Sequence, residues 1–113
     1  MLISVVIPSM NKVHLLTRTL AALREQDLGR EAQWEVVVVN DGSTDGTAAY
    51  LAGLDAWSQP ALQVVSPPHN VGRARARNLG AQAAQVRFLL FLDDDIIAPP
   101  GLVAAHLDVL EAF

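Results

Sequence analysis

Three consecutive aspartates, Asp93, Asp94 and Asp95, end an apolar segment of the chain at residues 86–92. Adjacent carboxylates repel one another, and burial disfavours their charged forms. A bound cation would relieve that repulsion. Magnesium and manganese prefer oxygen ligands, and Mg²⁺ is usually held by one or two carboxylates together with substrate phosphates. The triplet therefore predicts a divalent-cation site, with a solvated acidic turn as the simpler alternative.

The two outer acids of the triplet are the better metal ligands. Side chains alternate along an extended chain, so an Asp-x-Asp pair at a strand end points to one side. On that argument Asp93 and Asp95 point together, while Asp94 points away or towards the adjacent loop. A metal held there would bridge diphosphate oxygens and neutralise charge on a leaving group.

Three arginines, Arg73, Arg75 and Arg77, lie at the start of a predicted helix. Cations at this end oppose the helix macrodipole, so local stability does not favour them. Arg73 and Arg77 are four residues apart and share a helix face, whereas Arg75 points away. A diphosphate held by Arg73 or Arg77 and by free backbone N–H groups would account for the placement. The alternative is a solvated basic helix face.

Asp41 follows four consecutive valines and is placed at the carboxyl end of a predicted strand. Its carboxylate can accept hydrogen bonds from the donor edge of a nucleobase, such as the N3–H of uracil or the amino group of a purine. The alternative is a purely local role, at a helix start or in an Asx-turn before Gly42 and Ser43.

The segment PSMN, residues 8–11, follows the first predicted strand. Pro8 and Ser9 place backbone groups at the strand end. Met10 can lie against a base face, although methionine is more often a filler of gaps. Asn11 can cap the first helix or bind a ligand.

Composition limits the class of protein. The 113 residues suffice for one domain, 51% are apolar, the mean hydropathy is +0.28 and the net charge is −4. The acidic pI of 5.1 argues against a nucleic-acid partner. There is no cysteine, no basic region before the first apolar run and no apolar stretch near the ~20 residues of a membrane span. We therefore expect a cytoplasmic chain with no signal peptide, transmembrane segment or disulfide.

The hydrophobic pattern predicts an α/β fold. Strands are predicted at residues 2–8, 34–40, 61–66 and 86–92, and helices at 12–26, 47–54, 73–85 and 102–113. Strands that are apolar on both faces and alternate with helices indicate a parallel sheet covered on both faces. The common strand order 3-2-1-4 places a crevice between strands 1 and 4. The segments 8–11, 40–43 and 93–96 would converge there.

Four segments together resemble family 2 glycosyltransferases of the GT-A fold. They are SVVIPSMNK (4–12), EVVVVNDGSTDGT (35–47), NVGRARARNLGA (70–81) and FLLFLDDDI (88–96), in the family's order and spacing. The resemblance covers nearly the whole chain. It implies a Rossmann-like sheet, a nucleotide-diphospho-sugar donor, Mn²⁺ or Mg²⁺, and inverting transfer of the sugar to an acceptor hydroxyl.

The resemblance also implies roles for individual residues. Asp41 would bind the base, Asp93 the ribose or the diphosphate, and Asp95 the metal, with Asp93 assisting. Arg77 would lie near the nucleotide. The predicted nucleotide-sugar-binding residues are Pro8, Ser9, Met10, Asn11, Asp41, Gly72, Arg73, Arg77, Asp93 and Asp94.

The chain departs from the family pattern in two respects. Met10 replaces an aromatic residue common in the family, and the chain has about half the family's length. The family's general base comes from the second half. Of the residues after the triplet, Asp108 and Glu111 are carboxylates on the final helix, and neither is assigned as the base. We expect residues 1–113 to form a single, incomplete donor-binding domain whose catalytic base is unknown.

Two other functions remain open from the sequence. A nucleotide-binding module without turnover is compatible with the lack of an assigned base. A nucleotidyltransferase also uses carboxylates and a metal, but it usually carries a glycine-rich loop after its first strand, and residues 8–16 contain no glycine. The segment at 86–92 is predicted to be an apolar edge strand, a template for pairing with another chain. We therefore expect a homo-oligomer formed through this strand or the final helix.

Overall fold

The computed structural model of the protein describes residues 1–54, 57–84 and 86–112. The elements are β1 (Ile3–Ser9), α1 (Val13–Arg24), β2 (Glu35–Asn40), α2 (Thr47–Ala52), β3 (Ala61–Val65), α3 (Arg73–Ala83), β4 (Phe88–Phe91) and α4 (Leu102–Glu111). Within these ranges, every helix falls short of the length and apolar character needed to cross a membrane.

The four strands form one parallel sheet in the order β3-β2-β1-β4. The two central strands are buried along their whole length, because β1 and β2 are flanked by strands and covered on both faces. Their pairing runs from Ser4 opposite Glu35 to Ser9 opposite Asn40. The predicted fold class and strand order are confirmed.

Helices cover the two faces of the sheet unequally. The larger core cluster unites alternate residues of β1 and β2 with buried leucines and valine from α1, α2 and α4. It includes Val103 and Leu107, so the final helix packs against its own sheet. On the opposite face, α3 packs over a small cluster of Val6, Val37 and Val39 around Ala76.

A glycine sets the distance between α3 and the sheet. A Cβ atom at Gly80 would lie 2.3 Å from Cγ1 of Val6. Since no real side chain tolerates that distance, any larger residue would push the helix away from β1 and β2. This close packing fixes where the amino end of α3, with its arginines, reaches the edge of the sheet.

Strand β4 is shorter than the sequence predicts. It covers Phe88–Phe91 instead of residues 86–92, and Asp94 and Asp95 lie in a turn. The alternation argument for Asp93 and Asp95 was therefore wrong, because the chain is no longer extended where the acids occur. The predicted ends of the third helix at Gln85 and the fourth at Phe113 fall on residues outside the described ranges.

Candidate functional site

A cavity of about 360 Å³ opens beyond the carboxyl ends of the strands. It is lined by Pro8, Ser9, Met10, Lys12, Asp41, Asn70, Gly72, Arg73 and Asp94. These residues come from the segments after β1 and β2, from the loop before α3 and from the acidic turn after β4. Seven of the ten predicted nucleotide-sugar-binding residues thus lie around one cavity.

Asp41 is buried at the end of β2, and its carboxylate holds the loop that leads into α3. The Oδ1 atom accepts a hydrogen bond from the backbone N–H of Val71 at 2.7 Å. The Oδ2 atom accepts bonds from the N–H of Gly72 at 3.1 Å and from the Asn70 amide at 3.3 Å. These bonds differ from the local Asx-turn considered for Asp41. An ionised carboxylate has about four acceptor sites, so a further donor can still bind.

The loop that precedes α3 already holds one anionic group of the protein. The backbone N–H groups of Val71 and Gly72 both donate to the Asp41 carboxylate. Of the two arginines expected to bind phosphate, Arg73 lies in the cavity wall and Arg77 lies outside it.

Close backbone contact fixes the same loop against the turn after β2. Gly42 has φ of +73°, and a Cβ there would lie 2.6 Å from the backbone N of Asn70. The Asn70 amide in turn donates to the Asp41 carbonyl at 3.0 Å and contacts the Met10 sulfur at 2.8 Å. Asn70 thereby connects the loop before α3 with Met10, after β1, and with Asp41, after β2.

The middle acid of the triplet is buried, and the structure attaches it to β1 and α1. Asp94 is 4% exposed, and its Oδ2 accepts a hydrogen bond from the Ser9 hydroxyl at 2.8 Å. Its backbone carbonyl accepts a bond from the buried Thr19 hydroxyl at 2.9 Å. The turn after β4 is therefore held at a fixed position beside the cavity.

The outer acids, Asp93 and Asp95, are exposed. The Asp93 Oδ1 atom lies 3.7 Å from Nη2 of Arg77, with both side chains partly in solvent, so the pair contributes little stability. Among the described residues no three His, Cys, Asp or Glu side chains are grouped to hold a metal. Two accessible carboxylates nevertheless match in kind the donor set of Mg²⁺ or Mn²⁺, which needs only one or two when phosphates supply the rest.

Asn11 lies outside the cavity lining and connects two loops instead. Its Oδ1 accepts bonds from the backbone N–H groups of Thr44 at 2.7 Å and Asp45 at 3.2 Å. The cap position of α1 is Lys12, without a side-chain bond, so the capping role considered for Asn11 was wrong. Asp45 accepts bonds from the Thr47 hydroxyl and from backbone N–H groups, and these lower the pKa of its carboxyl.

The cavity includes two residues that the sequence reasoning missed, Lys12 and Asn70. Lys12 directly follows the PSMN segment, and that adjacency was an available signal. Asn70 opens the segment 70–81 that carries the family resemblance, but its contacts join loops distant in sequence, and no pattern in the sequence indicates them. Arg75 lines a different depression, beside Val71, as expected for a residue that points away from Arg73.

A larger cavity, of about 600 Å³, lies at the opposite end of the sheet. It is bordered by the connection between α1 and β2, including Arg30 and Trp34, and by Gln59. It contains none of the predicted site residues. Ligands of open parallel sheets bind beyond the carboxyl ends of the strands, which favours the smaller cavity as the functional site.

A parallel sheet of order 3-2-1-4 with a polar cavity at this edge is the architecture of nucleotide-binding α/β proteins. The sequence profile of Glycosyl transferase family 2 matches residues 4–112. Since this match covers nearly the whole chain, the protein belongs to that family. The family assignment made from the four sequence segments is confirmed.

Similar proteins share this region. Validoxylamine A glucosyltransferase of Streptomyces hygroscopicus subsp. jinggangensis is 38% identical over 109 residues, which are 93% of this chain and 25% of that protein. WfgD of Escherichia coli, a UDP-Glc:alpha-D-GlcNAc-diphosphoundecaprenol beta-1,3-glucosyltransferase, is 30% identical over 85% of this chain and 36% of its own length. The chain thus spans about a quarter to a third of these relatives.

Two solved structures share the fold at a TM-score of 0.83 and 28% identity. One is S. aureus TarS 1-349 in complex with UDP-GlcNAc, matched over 99% of this chain and 32% of that one. The other is the mannosyltransferase PcManGT from Pyrobaculum calidifontis in complex with GDP-Man and Mn²⁺, matched over 96% of this chain and 32% of that one.

Proposed function

We propose that the cavity at the carboxyl ends of β1, β2 and β4 binds a nucleotide-diphospho-sugar, together with a divalent cation, for inverting transfer of the sugar to an acceptor hydroxyl. The observation that carries this proposal is the meeting of Asp41, Arg73 and Asp94 around one cavity from three separate elements. The UDP-GlcNAc and GDP-Man complexes of similar folds support the class of ligand.

The base and the diphosphate take different ends of the cavity in this proposal. Asp41, buried at the end of β2, accepts a hydrogen bond from the donor edge of the base. Arg73 lies at the start of α3 and binds phosphate oxygens with its planar, multiply donating guanidinium group. Arg77, one helical turn further along α3, exchanges its contact with Asp93 for the diphosphate.

Asp95 and Asp93 are the residues that would hold Mn²⁺ or Mg²⁺. Both carboxylates are accessible. Two hydrogen bonds fix the acidic segment that carries them: the Ser9 hydroxyl donates to the Asp94 carboxylate, and the Thr19 hydroxyl donates to the Asp94 backbone carbonyl. When bound, the cation neutralises charge that develops on the leaving diphosphate. The protein's own contribution is to orient the donor between β2 and α3.

The acceptor's proton goes to a group outside the cavity described here. Inverting transfer needs a base within hydrogen-bond reach of the acceptor hydroxyl. Glu111 is engaged with Arg30 at 2.9 Å, and Asp108 is exposed on α4. Neither lines the cavity. We therefore expect these 113 residues alone to bind donor without transferring the sugar.

Calorimetric titration tests the proposed function. UDP, UDP-GlcNAc, GDP and GDP-Man are each titrated into the protein, once with Mn²⁺ and once with EDTA. We expect saturable binding of one nucleotide class, tighter with Mn²⁺. Adenosine monophosphate serves as a control ligand. Absence of binding by every diphosphate in the presence of Mn²⁺ would overturn the proposal, and binding without any sugar transfer would favour the turnover-free module for these residues.

We also propose that the chain forms a homodimer through the free edge of β4. Among the described residues no strand pairs with the outer edge of β4, and an unpaired edge strand is a template for pairing. Leu89 and Phe91 pair with Ser4 and Val6, so they lie on the α3 face, and they remain 39% and 44% exposed. The final helix is occupied within its own chain, which favours β4 over α4 as the contact.

Light scattering at micromolar concentration measures the dimer directly. We expect a mass of about twice the 12.1 kDa of one chain. The variant Phe91→Glu should return the monomer mass, because it places a charge beside the pairing edge. The variant Leu15→Glu, at a comparably exposed leucine on α1, should not. A wild-type monomer at all concentrations would contradict the proposal.

A further inference from the structure

Lys12 has no assigned role, yet it lines the same cavity as Arg73. It is the single lysine of the chain and stands at the cap position of α1, directly after the loop that leaves β1. It makes no side-chain capping bond to that helix. Within the described residues its ammonium group forms no ion pair.

The acidic and the basic side chains that line the cavity differ in their exposure. The two acids in its wall, Asp41 and Asp94, are each 4% exposed and accept hydrogen bonds from the protein. The two cations, Lys12 and Arg73, are exposed, and within the described ranges neither forms an ion pair with a carboxylate. The accessible charge of the cavity is thus positive, although the chain as a whole carries −4.

Exposed cations on a cavity wall whose carboxylates are already hydrogen-bonded favour an anion. Lys12 comes from the β1 side of the cavity and Arg73 from the start of α3, so the two charges approach from different elements. A lysine acts as a compact point charge towards phosphate, whereas an arginine binds it with fixed geometry. A group with several phosphate oxygens can engage both.

We propose that Lys12 binds the diphosphate of the donor, together with Arg73. The inference rests on the proposed function, since it names a phosphate ligand of that same site. It adds a residue that the sequence motifs did not indicate. It also means that part of the charge of the diphosphate is neutralised by the protein, independently of the cation held by Asp95 and Asp93.

Nucleotide affinity in a charge-matched pair of variants tests the role of Lys12. Calorimetry with UDP and GDP, and with uridine and guanosine, is performed on the wild type, Lys12→Gln and Arg18→Gln. Arg18 is an exposed cation of α1 outside the cavity lining, so its removal controls for net charge. We expect Lys12→Gln to weaken diphosphate binding by about tenfold and nucleoside binding not at all. Equal diphosphate affinity in the two variants would overturn the proposal.

Amine labelling gives a second readout that does not depend on mutation. An acylating reagent can modify Lys12 and the α-amine of Met1, and mass spectrometry distinguishes the two sites. We expect UDP, GDP or inorganic pyrophosphate to slow the labelling of Lys12 while leaving Met1 unchanged. Protection by pyrophosphate with no nucleotide binding would contradict the proposed function but would support an anion site at Lys12. The absence of protection by all three ligands would overturn the role of Lys12, and calorimetric binding of UDP or GDP in that case would leave the proposed function standing.

Discussion

The carboxylate of Asp41 lies 2.7 Å from the backbone nitrogen of Val71, thirty residues further along the chain. A second bond reaches Gly72, the residue before α3. The end of β2 and the start of α3 are therefore connected through one buried side chain. The position of Arg73 at the cavity depends on this connection as much as on α3 itself.

Replacement of Asp41 should destabilise the protein even without a ligand. Asp41→Ala leaves the N–H groups of Val71 and Gly72 without their acceptor, and we expect the free energy of unfolding to fall by about 2 kcal/mol. Urea unfolding followed by circular dichroism measures this change. The control Asp108→Ala, at an exposed position of α4, should change it by less than about 0.5 kcal/mol. Equal stability of the two variants would show that Asp41 does not hold the loop.

The turn after β2 should tolerate no side chain at Gly42. Its φ of +73° is unfavourable for an L-residue, and the added Cβ meets the backbone of Asn70 at 2.6 Å. We expect Gly42→Ala to lower the free energy of unfolding by about 1–3 kcal/mol. Gly53→Ala is the matched control, because Gly53 has a helical conformation and its Cβ would make an ordinary contact. A similar effect of both changes would contradict the close packing of these loops.

The sequence was sufficient to predict the sheet, but it was not sufficient to predict the contacts between the loops of the sheet. The valines of β2 and the apolar residues of β1 indicate central parallel strands because both faces are apolar. Bonds such as those of Asp41 to residues 71 and 72 join segments distant in sequence, and periodicity carries no information about them. Asn70 escaped prediction for this reason, whereas Lys12 was overlooked beside the PSMN segment.

The acidic triplet also shows that the sequence predicts the strands better than the segments that follow them. The strand-end position of the acids was predicted, but β4 ends at Phe91, so the chain is no longer extended where the acids occur. Asp94, one of the predicted binding residues, lies in the cavity wall, and the turn rather than strand alternation separates it from the exposed Asp93 and Asp95. Side chains alternate between the two sides of the chain only while the strand lasts, and an apolar segment does not show the residue at which that alternation stops.

The bond between Ser9 and Asp94 should be measurable as a coupling energy. Both residues are buried, and removal of the Ser9 hydroxyl leaves the carboxylate short of a donor. We expect Ser9→Ala to cost about 1–3 kcal/mol of stability, and the cost to shrink when Asp94→Ala is already present. A double-mutant cycle by urea unfolding measures the difference, with the exposed Ser66→Ala as control. Additive effects of Ser9→Ala and Asp94→Ala would contradict the contact.

The exposed acids should carry the metal dependence of nucleotide binding. We expect Asp95→Ala to abolish most of the increase in diphosphate affinity caused by Mn²⁺, because a ligand to the cation is lost. Asp93→Ala should reduce it less, and Asp108→Ala should not change it. Calorimetry with UDP or GDP, with and without Mn²⁺, measures all three. An unchanged Mn²⁺ effect in Asp95→Ala would refute the assignment of the metal ligand.

The most direct test of the account is a crystal structure of the protein soaked with Mn²⁺ and the tightest-binding nucleotide-sugar. We predict the base beside Asp41 and the diphosphate at Lys12 and Arg73, in the cavity of about 360 Å³, with the metal at Asp95 on the adjoining turn. The two cavities make the outcome decisive, because they lie at opposite ends of the sheet. A nucleotide bound in the cavity of about 600 Å³ beside Trp34, with the smaller one empty, would contradict the central claim.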